Sequence, residues 1–127
     1  MSFSGAQDTD ILDAAVLQGL RNLGSDSFLI ELIVLFAKDS EQLMGDIDSA
    51  LSSQHWSKVR DLAHKLKGSA GNLGAKRLAR RCEYLEGSST KELTAQAAPL
   101  LGELECEWNT ARTRLLEYRG NLIQALE

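Results

Sequence analysis

His64 is the residue whose sequence surroundings best suit chemistry. It lies in a stretch, residues 59–73, whose apolar side chains recur every three or four positions, and this period predicts a helix. At about 100° per residue, these apolar side chains fall on the face opposite His64. The imidazole is therefore expected to face solvent, where it is either incidental or reactive. A neutral ring nitrogen is a competent nucleophile, so the reactive case would be covalent transfer of a group.

The residues that share the face of His64 are mostly cationic or small. Five of them lie within about 60° of it on the helical wheel: Arg60, Lys67, Gly68, Gly71 and Ala75. A glycine in an exposed helix interior costs about 1 kcal/mol relative to alanine, so two glycines here need a reason beyond the helix itself. We favour close approach of a partner to His64. The alternative is tight packing of another helix of the same fold on Gly68 and Gly71.

Positive charge is concentrated around the same histidine. The whole chain has 14 Lys plus Arg against 18 Asp plus Glu, a net charge of −4 that disfavours general binding to nucleic acid or anionic membranes. Residues 58–81, however, contain eight basic residues and one acidic residue, a local balance of +7 that leaves −11 for the rest. Such a band suits an anionic group. Lys67, one turn after His64, could neutralise a phosphoryl group, and Gly68 could leave room for its approach.

Helices are predicted along most of the chain, and their packing is expected to position the face that contains His64. The hydropathy period and the Gly and Ser breaks place them at residues 11–23 (preceded by Asp10 and ended by Gly24), 25–51, 59–73 (with Gly74 at the C-cap), 78–85 and 89–122 (opened by a capping box of Ser89 and Glu92). Pro99 would either kink the last helix or mark the start of its main part near Ala98. No strand-like alternation of useful length and no internal repeat occurs in the sequence.

This pattern predicts an all-α fold, an antiparallel four-helix bundle with a short additional N-terminal helix. A length of 127 residues suits one hydrophobic core. We therefore expect a single domain over residues 1–127, with its ordered core at about residues 11–126.

The run from His64 to Gly74 resembles the signature of histidine-containing phosphotransfer (HPt) domains. The family pattern, His-x-Leu-Lys-Gly-Ser-Ala-x-x-Leu-Gly, is matched at every specified position, and the helical layout is similar from about Ile11 to Leu126. The resemblance implies that His64 accepts a phosphoryl group from the aspartate of a response-regulator receiver domain. It would then pass this group to the aspartate of another receiver, as in a multistep phosphorelay.

The same resemblance suggests roles for the neighbours of His64. Lys67 would stabilise the phosphorylated state, and Gly68 would leave room for the incoming receiver. Arg60, Lys65 and Gly71 are assigned to the surrounding surface through which the partner and the phosphoryl group gain access.

Glu86 departs from the family pattern. Many members have a glutamine 22 residues after the histidine, where it orients the imidazole, and this chain has Glu86 there. A carboxylate can accept a hydrogen bond from one ring N–H and fix the tautomer, but it would repel a nearby phosphoryl group. Alternatively, Glu86 only solvates the helix end or pairs with a nearby basic residue.

Nucleotide-binding motifs are not supported by the sequence. Glycines 68, 71 and 74 have the wrong spacing for a dinucleotide fingerprint and follow a helix, and no Walker-type phosphate loop is present. We therefore expect a phosphocarrier without ATP-dependent kinase activity of its own.

Metal and redox chemistry are not expected either. His55 and His64 would face opposite sides of one helix and lack further ligands, and His55 is interpreted as a loop residue. Cys82 and Cys106 are predicted to pack in the core as reduced thiols. No cofactor is expected, and magnesium only in the partner receiver.

The expected partners are receiver domains, including that of a hybrid sensor kinase, with no nucleic-acid or membrane partner. No signal peptide is visible, and the longest apolar run, residues 32–37, is far below the ~20 residues that cross a bilayer, so a cytoplasmic monomer is predicted. One alternative is a helical-bundle binder of nucleic acid or an acidic protein that uses the basic face, although only Trp56 lies near enough to stack on bases. Another is an adaptor that has lost the chemistry.

Overall fold

The computed structural model describes residues 11–126 of the chain, and this part is built of helices. In chain order they are α1 (Ala14–Leu23), α2 (Asp26–Ser52), α3 (Trp56–Asn72), α4 (Lys76–Gly87) and α5 (Thr90–Leu126). Within these residues no strand occurs, and the predicted all-α fold is confirmed. Short turns join successive helices. Each of α2 and α4 packs against both α3 and α5, which closes a four-helix bundle, and α1 packs on α2.

Side-chain caps determine where several helices begin. The side chains of Ser25 and Ser89 accept hydrogen bonds from the backbone N–H groups of Phe28 and Glu92, the third residues of α2 and α5. Asp13 caps Ala15 in the same way, so α1 begins at Ala14 and the expected start at residue 11 is wrong. The expected cap at Asp10 lies outside the described residues. The Ser89 cap is confirmed, whereas the side chain of Glu92 accepts a hydrogen bond from the hydroxyl of Tyr84.

Gly74 forms the turn between α3 and α4, as predicted. Its φ of +74° is in the left-handed region, where glycine is favoured, and its carbonyl oxygen accepts the N–H of Asp13 at 2.9 Å. An added Cβ at Gly74 would lie 3.1 Å from the Asp13 carbonyl oxygen. The turn that ends α3 therefore also holds the start of α1.

One hydrophobic core receives side chains from every helix. Its largest fully buried members are Leu17, Leu29, Ile33, Ile47, Leu66, Leu78, Leu93, Leu104 and Leu115. Cys82 is buried among them as predicted, and burial raises the pKa of its thiol to about 12. The prediction for Cys106 is wrong, because this residue is exposed. On α5 it lies about 200° from Leu104, away from the buried face.

Pro99 lies just after an interruption of α5. Gln96 has non-helical φ and ψ of −123° and 19°, so the main part of the helix starts near Ala97. Pro99 is then in the first turn of that part, where its missing N–H would have no intrahelical partner. This agrees with a start near Ala98. None of the helices described here is both long and apolar enough to span a bilayer.

Candidate functional site

His64 lies in the middle of α3 with its imidazole directed to solvent. Its side chain is 66% exposed, while Ala63 and Leu66 on the same helix are completely buried. The amphipathic period of α3 thus separates the histidine from the core, as the helical wheel predicts. The ring is open to a partner.

Glu86 connects His64 to Lys67. Because α4 packs along α3, the Glu86 carboxylate lies over the histidine, with Oε2 2.8 Å from Nδ1 of His64. The other oxygen, Oε1, accepts a hydrogen bond from Nζ of Lys67, also at 2.8 Å. Both interpretations of Glu86, as a partner of the imidazole and as a partner of a basic residue, therefore hold at once.

The contact between Glu86 and Nδ1 determines which nitrogen of the His64 ring has a free lone pair. The Lys67 ammonium keeps the pKa of the Glu86 carboxyl below its usual value against the opposing effect of burial, and the hydrogen bond with His64 lowers it further. An ionised carboxylate only accepts hydrogen bonds, so the proton of the neutral imidazole lies on Nδ1. The lone pair then lies on Nε2, which points away from Glu86. Glu86 also raises the pKa of Lys67, which remains a cation.

The surface beside His64 is unobstructed at both glycines. A Cβ built on Gly68 or on Gly71 would meet no described atom within 4 Å. The alternative that another helix packs on these glycines is therefore wrong for the part of the chain that the structure describes. The prediction that Ala75 shares the face of His64 is also wrong. Helix α3 ends at Asn72, and Ala75 is a buried residue at the start of α4.

The Arg60 side chain is hydrogen-bonded to the turn between α4 and α5. Its guanidinium donates to the carbonyl oxygen of Ser88 at 3.2 Å and to Oγ1 of Thr90 at 3.2 Å. Arg60 and Lys65 both line the shallow depression around His64, together with Asp61 and Glu86. Lys65 is exposed there.

The basic band is partly neutralised by carboxylates from the rest of the chain. The pairs are Lys67 with Glu86, Lys76 with Asp13, Arg77 with Glu107 and Arg81 with Glu103, at N···O distances of 2.6–2.9 Å. At least four of its eight cations are thus paired across the fold. The local balance of +7 overstates the positive charge that an anion near His64 would meet.

An apolar groove lies beside the C-terminal end of α3. Its lining comes from α1, α2, the end of α3 and the residue that follows α3: Leu20, Leu32, Leu35, Phe36, Asp39, Ser40, Ser69, Asn72 and Leu73. Leu35 is 53% exposed within this lining. The groove was not predicted from the sequence. The sequence feature that could have indicated the groove is Leu35, a large apolar residue that lies off the buried stripe of α2.

Among residues 11–126, no group of three or more His, Cys, Asp or Glu side chains is placed to hold a metal ion. His55 precedes α3 as an exposed residue outside any helix, so its interpretation as a loop residue is confirmed.

Comparison with known protein families identifies the arrangement. The family model described as the Hpt domain matches residues 31–125, which is more than half of the chain. The chain belongs to the HPt domain family. The family resemblance of the segment around His64 is thereby confirmed, and so is the role of a phosphocarrier in a phosphorelay.

Individual relatives agree with this assignment. The crystal structure of histidine-containing phosphotransfer protein B (HptB) from Pseudomonas aeruginosa PAO1 is similar with a TM-score of 0.77 and 31% identity, over 87% of this chain and 96% of that one. Histidine-containing phosphotransfer protein 1 of Arabidopsis thaliana is 27% identical over 83% of this chain and 71% of its own length. Phosphorelay intermediate protein YPD1 of Candida albicans is 29% identical over 67% of this chain and 47% of its own length.

HPt proteins are phosphocarriers that interact with receiver domains and are not kinases. The alternatives of a nucleic-acid binder and of an adaptor gain no support from these relatives. The roles of the individual site residues of this HPt domain remain predictions.

Proposed function

We propose that this HPt domain accepts a phosphoryl group on Nε2 of His64 from a receiver aspartate and passes it to a second receiver. The observation that carries the proposal is the pairing of Nδ1 with Glu86 on an exposed ring. This pairing leaves one nucleophilic nitrogen, and it faces a surface that the two glycines keep open.

The proposed reaction is an in-line displacement at phosphorus. The lone pair of Nε2 attacks the phosphoryl group, the N–P bond forms, and the acyl O–P bond of the donor breaks with its electron pair on the aspartate. The onward step is the same displacement with the acceptor aspartate as nucleophile. Metal assistance is assigned to the magnesium of the receiver, and no cofactor to this chain.

The receiver is proposed to cover His64, Gly68 and the apolar groove together. The exposed Leu35 gives this surface an apolar area that a water-soluble partner could bury. The cations that remain near the ring then meet the acidic active site of the receiver. We assign no kinase activity to the chain and expect a monomer. The proposed compartment is the cytoplasm, an assignment supported by the two free thiols, Cys82 and Cys106.

Phosphotransfer is tested with a receiver domain that carries a radiolabelled phosphoryl group on its aspartate. Label is expected on the wild-type chain and on His55→Gln, the matched control at the other histidine, and not on His64→Gln. The labelled bond should be labile in acid and stable in alkali, as phosphohistidine is. Equal labelling of His64→Gln would overturn the proposal. Incubation of the chain alone with labelled ATP is expected to give no label, and labelling of the wild type there would contradict the carrier assignment.

A further inference from the structure

The apolar groove also contains polar side chains from two helices. Asp39 of α2 and Ser69 and Asn72 of α3 line it together with apolar residues such as Leu32 and Leu35. We propose that Asp39 is a specificity-determining residue, which selects receiver domains that present a lysine or arginine next to the apolar surface that enters the groove. This inference rests on the proposed function and deepens it, because it names the chemistry of the partner that the groove accepts.

Three of the four polar side chains in the groove are available to a partner. The fourth, Ser40, is buried, and its hydroxyl accepts the indole N–H of Trp108 at 2.7 Å, so it belongs to the core. In residues 11–126, the structure gives the side chains of Asp39, Ser69 and Asn72 no hydrogen bond or ion pair. Asp39 and Asn72 are exposed, and Ser69 is half-buried.

The available polar groups suit a basic side chain. All of them have acceptor oxygens, and the carboxylate of Asp39 is acceptor-only when ionised. An ammonium or guanidinium group only donates, so it would satisfy these acceptors and also neutralise the charge of Asp39. The apolar lining of the groove would cover the hydrocarbon stem of a lysine or arginine. An acidic side chain would be repelled from the same place.

Asp39 lies close enough to be covered by a partner that contacts His64. Ser69 and Asn72 follow His64 on α3, about 8 and about 12 Å further along the helix axis at a rise of about 1.5 Å per residue. Asp39 shares the groove with both, and it also borders the next depression on α2, so it lies at the rim. An interface of standard size buries about 800 Å² on each partner, which is an area wide enough to include this rim.

The charges on this surface would determine the orientation of the receiver. Lys65 is exposed in the depression around His64, where the acidic active site of the receiver is proposed to lie. Asp39 places the opposite charge at the groove. A receiver that matches both must place its acidic site at the histidine and a basic side chain at the groove. A receiver without this basic side chain would leave Asp39 unpaired or repel it, which is the basis of the proposed selection.

The test compares the wild type with Asp39→Asn and Asp39→Lys. Asp48→Asn and Asp48→Lys are the matched controls, because Asp48 is exposed on α2 and lies about 180° from Asp39 around the helix. Each protein is phosphorylated with phosphoramidate, a small donor that requires no receiver. Transfer to a receiver that the wild type phosphorylates is then measured over a range of receiver concentrations.

The apparent KM for the receiver is expected to rise about fivefold in Asp39→Asn, as loss of one partly exposed ion pair predicts. In Asp39→Lys it should rise about 25-fold, because a repulsion of similar size replaces the attraction. The rate at saturating receiver should stay level, and both Asp48 variants should match the wild type. A KM in Asp39→Lys equal to that of the wild type, or an equal rise in Asp48→Lys, would overturn the inference.

Salt separates an electrostatic role from a structural one. The differences in KM should shrink between about 0.05 M and about 0.5 M salt, since ions screen charges at a protein surface. A defect in Asp39→Lys that salt leaves unchanged would have a structural cause and would contradict the proposed selection.

Charge exchange identifies the side chain on the receiver. Its surface lysines and arginines are changed to glutamate one at a time. One of these receiver variants should accept the phosphoryl group poorly from the wild type and well from Asp39→Lys. If no receiver variant recovers in this way, Asp39 does not read a basic side chain.

Two other outcomes are distinguished from these. If the wild type exchanges phosphoryl groups with no receiver, the proposed function fails, while calorimetric binding of unphosphorylated receivers to the same variants still decides the role of Asp39. If the wild type forms a dimer in solution that Asp39→Lys dissociates, the groove accepts a second copy of this chain, and the inference is overturned.

Discussion

Nζ of Lys67 donates a hydrogen bond to Oε1 of Glu86 at 2.8 Å. Lys67, which the sequence predicts to neutralise the phosphoryl group, is thus already paired with Glu86 in the unphosphorylated protein. A phosphoryl group on His64 would add strong acceptor oxygens one helical turn from Lys67, and the ammonium has three donors to share between the two anions. Lys67 can therefore stabilise the phosphorylated state without leaving Glu86 altogether.

Lys67→Ala is expected to keep the fold and to shorten the lifetime of the phosphorylated chain. The effect should be modest, about fivefold, because this pair is partly exposed and screened by solvent. The measurement is the decay of phosphohistidine after labelling with phosphoramidate, with Lys58→Ala as a control at an exposed lysine in the first turn of α3. An unchanged lifetime in Lys67→Ala would remove its proposed role.

Gly68→Gln is expected to slow transfer from a receiver without loss of stability. An added Cβ at Gly68 meets no described atom within 4 Å, so the helix should gain up to about 1 kcal/mol, and the obstruction should affect the incoming partner. Gly45→Gln is the matched control, since Gly45 is an equally unobstructed, exposed glycine inside α2. Transfer rates and urea unfolding should be measured on both. Normal transfer in Gly68→Gln, or equal slowing in both variants, would contradict the proposed approach surface.

The sequence correctly predicts the relative positions of those site residues that lie on the same regular helix. His64, Lys67 and Gly68 lie within one turn of α3, so a fixed rotation per residue places them correctly on one face. The same rotation fails for Ala75, because the left-handed turn at Gly74 ends the helix before it. Periodicity is reliable inside an element and uninformative beyond its end.

Relations between helices were beyond the reach of the sequence pattern. The sequence leaves two interpretations of Glu86 open, as a partner of the imidazole or of a basic residue. Only the packing of α4 on α3 shows that Glu86 contacts both His64 and Lys67. At least half of the basic band is paired with carboxylates from the N-cap of α1, from α4 and from α5, which a sum over adjacent residues does not include. The apolar groove likewise combines residues from three helices.

Gly74→Ala is expected to destabilise the fold by about 1–3 kcal/mol. Its positive φ disfavours any side chain, and the added Cβ would lie 3.1–3.2 Å from backbone and side-chain atoms of Asp13 and Val16. Gly102→Ala is the control, because a Cβ on that exposed α5 residue meets no described atom within 4 Å. Thermal unfolding should separate the two. A Gly74→Ala protein as stable as the wild type would show that the turn relaxes without cost.

Ser40→Ala is expected to destabilise the contact between α2 and α5. The buried Ser40 hydroxyl accepts the indole N–H of Trp108 at 2.7 Å, and the variant would leave that donor without its partner. The expected cost is about 1–2 kcal/mol, measured by urea unfolding, together with a change in tryptophan fluorescence. Ser49→Ala, at an exposed site on α2, should change neither property. Equal behaviour of the two serine variants would show that the bond does not contribute to stability.

Asp13→Asn is expected to destabilise the protein at neutral pH, with a difference from the wild type that fades in acid. The pKa of Asp13 is lowered chiefly by its hydrogen bond with Lys76 and also by the N–H of Ala15. A carboxyl whose pKa is lower in the folded chain stabilises the fold above its unfolded value, about 3.9, and that contribution is lost as the pH falls below it. Asparagine still caps helices, so the substitution removes the charge and keeps the cap. Urea unfolding of Asp13→Asn and of Asp48→Asn, an exposed control on α2, should be compared between about pH 7 and about pH 3. A difference for Asp13→Asn that persists unchanged at the acidic end would show that the ion pair with Lys76 is not its cause.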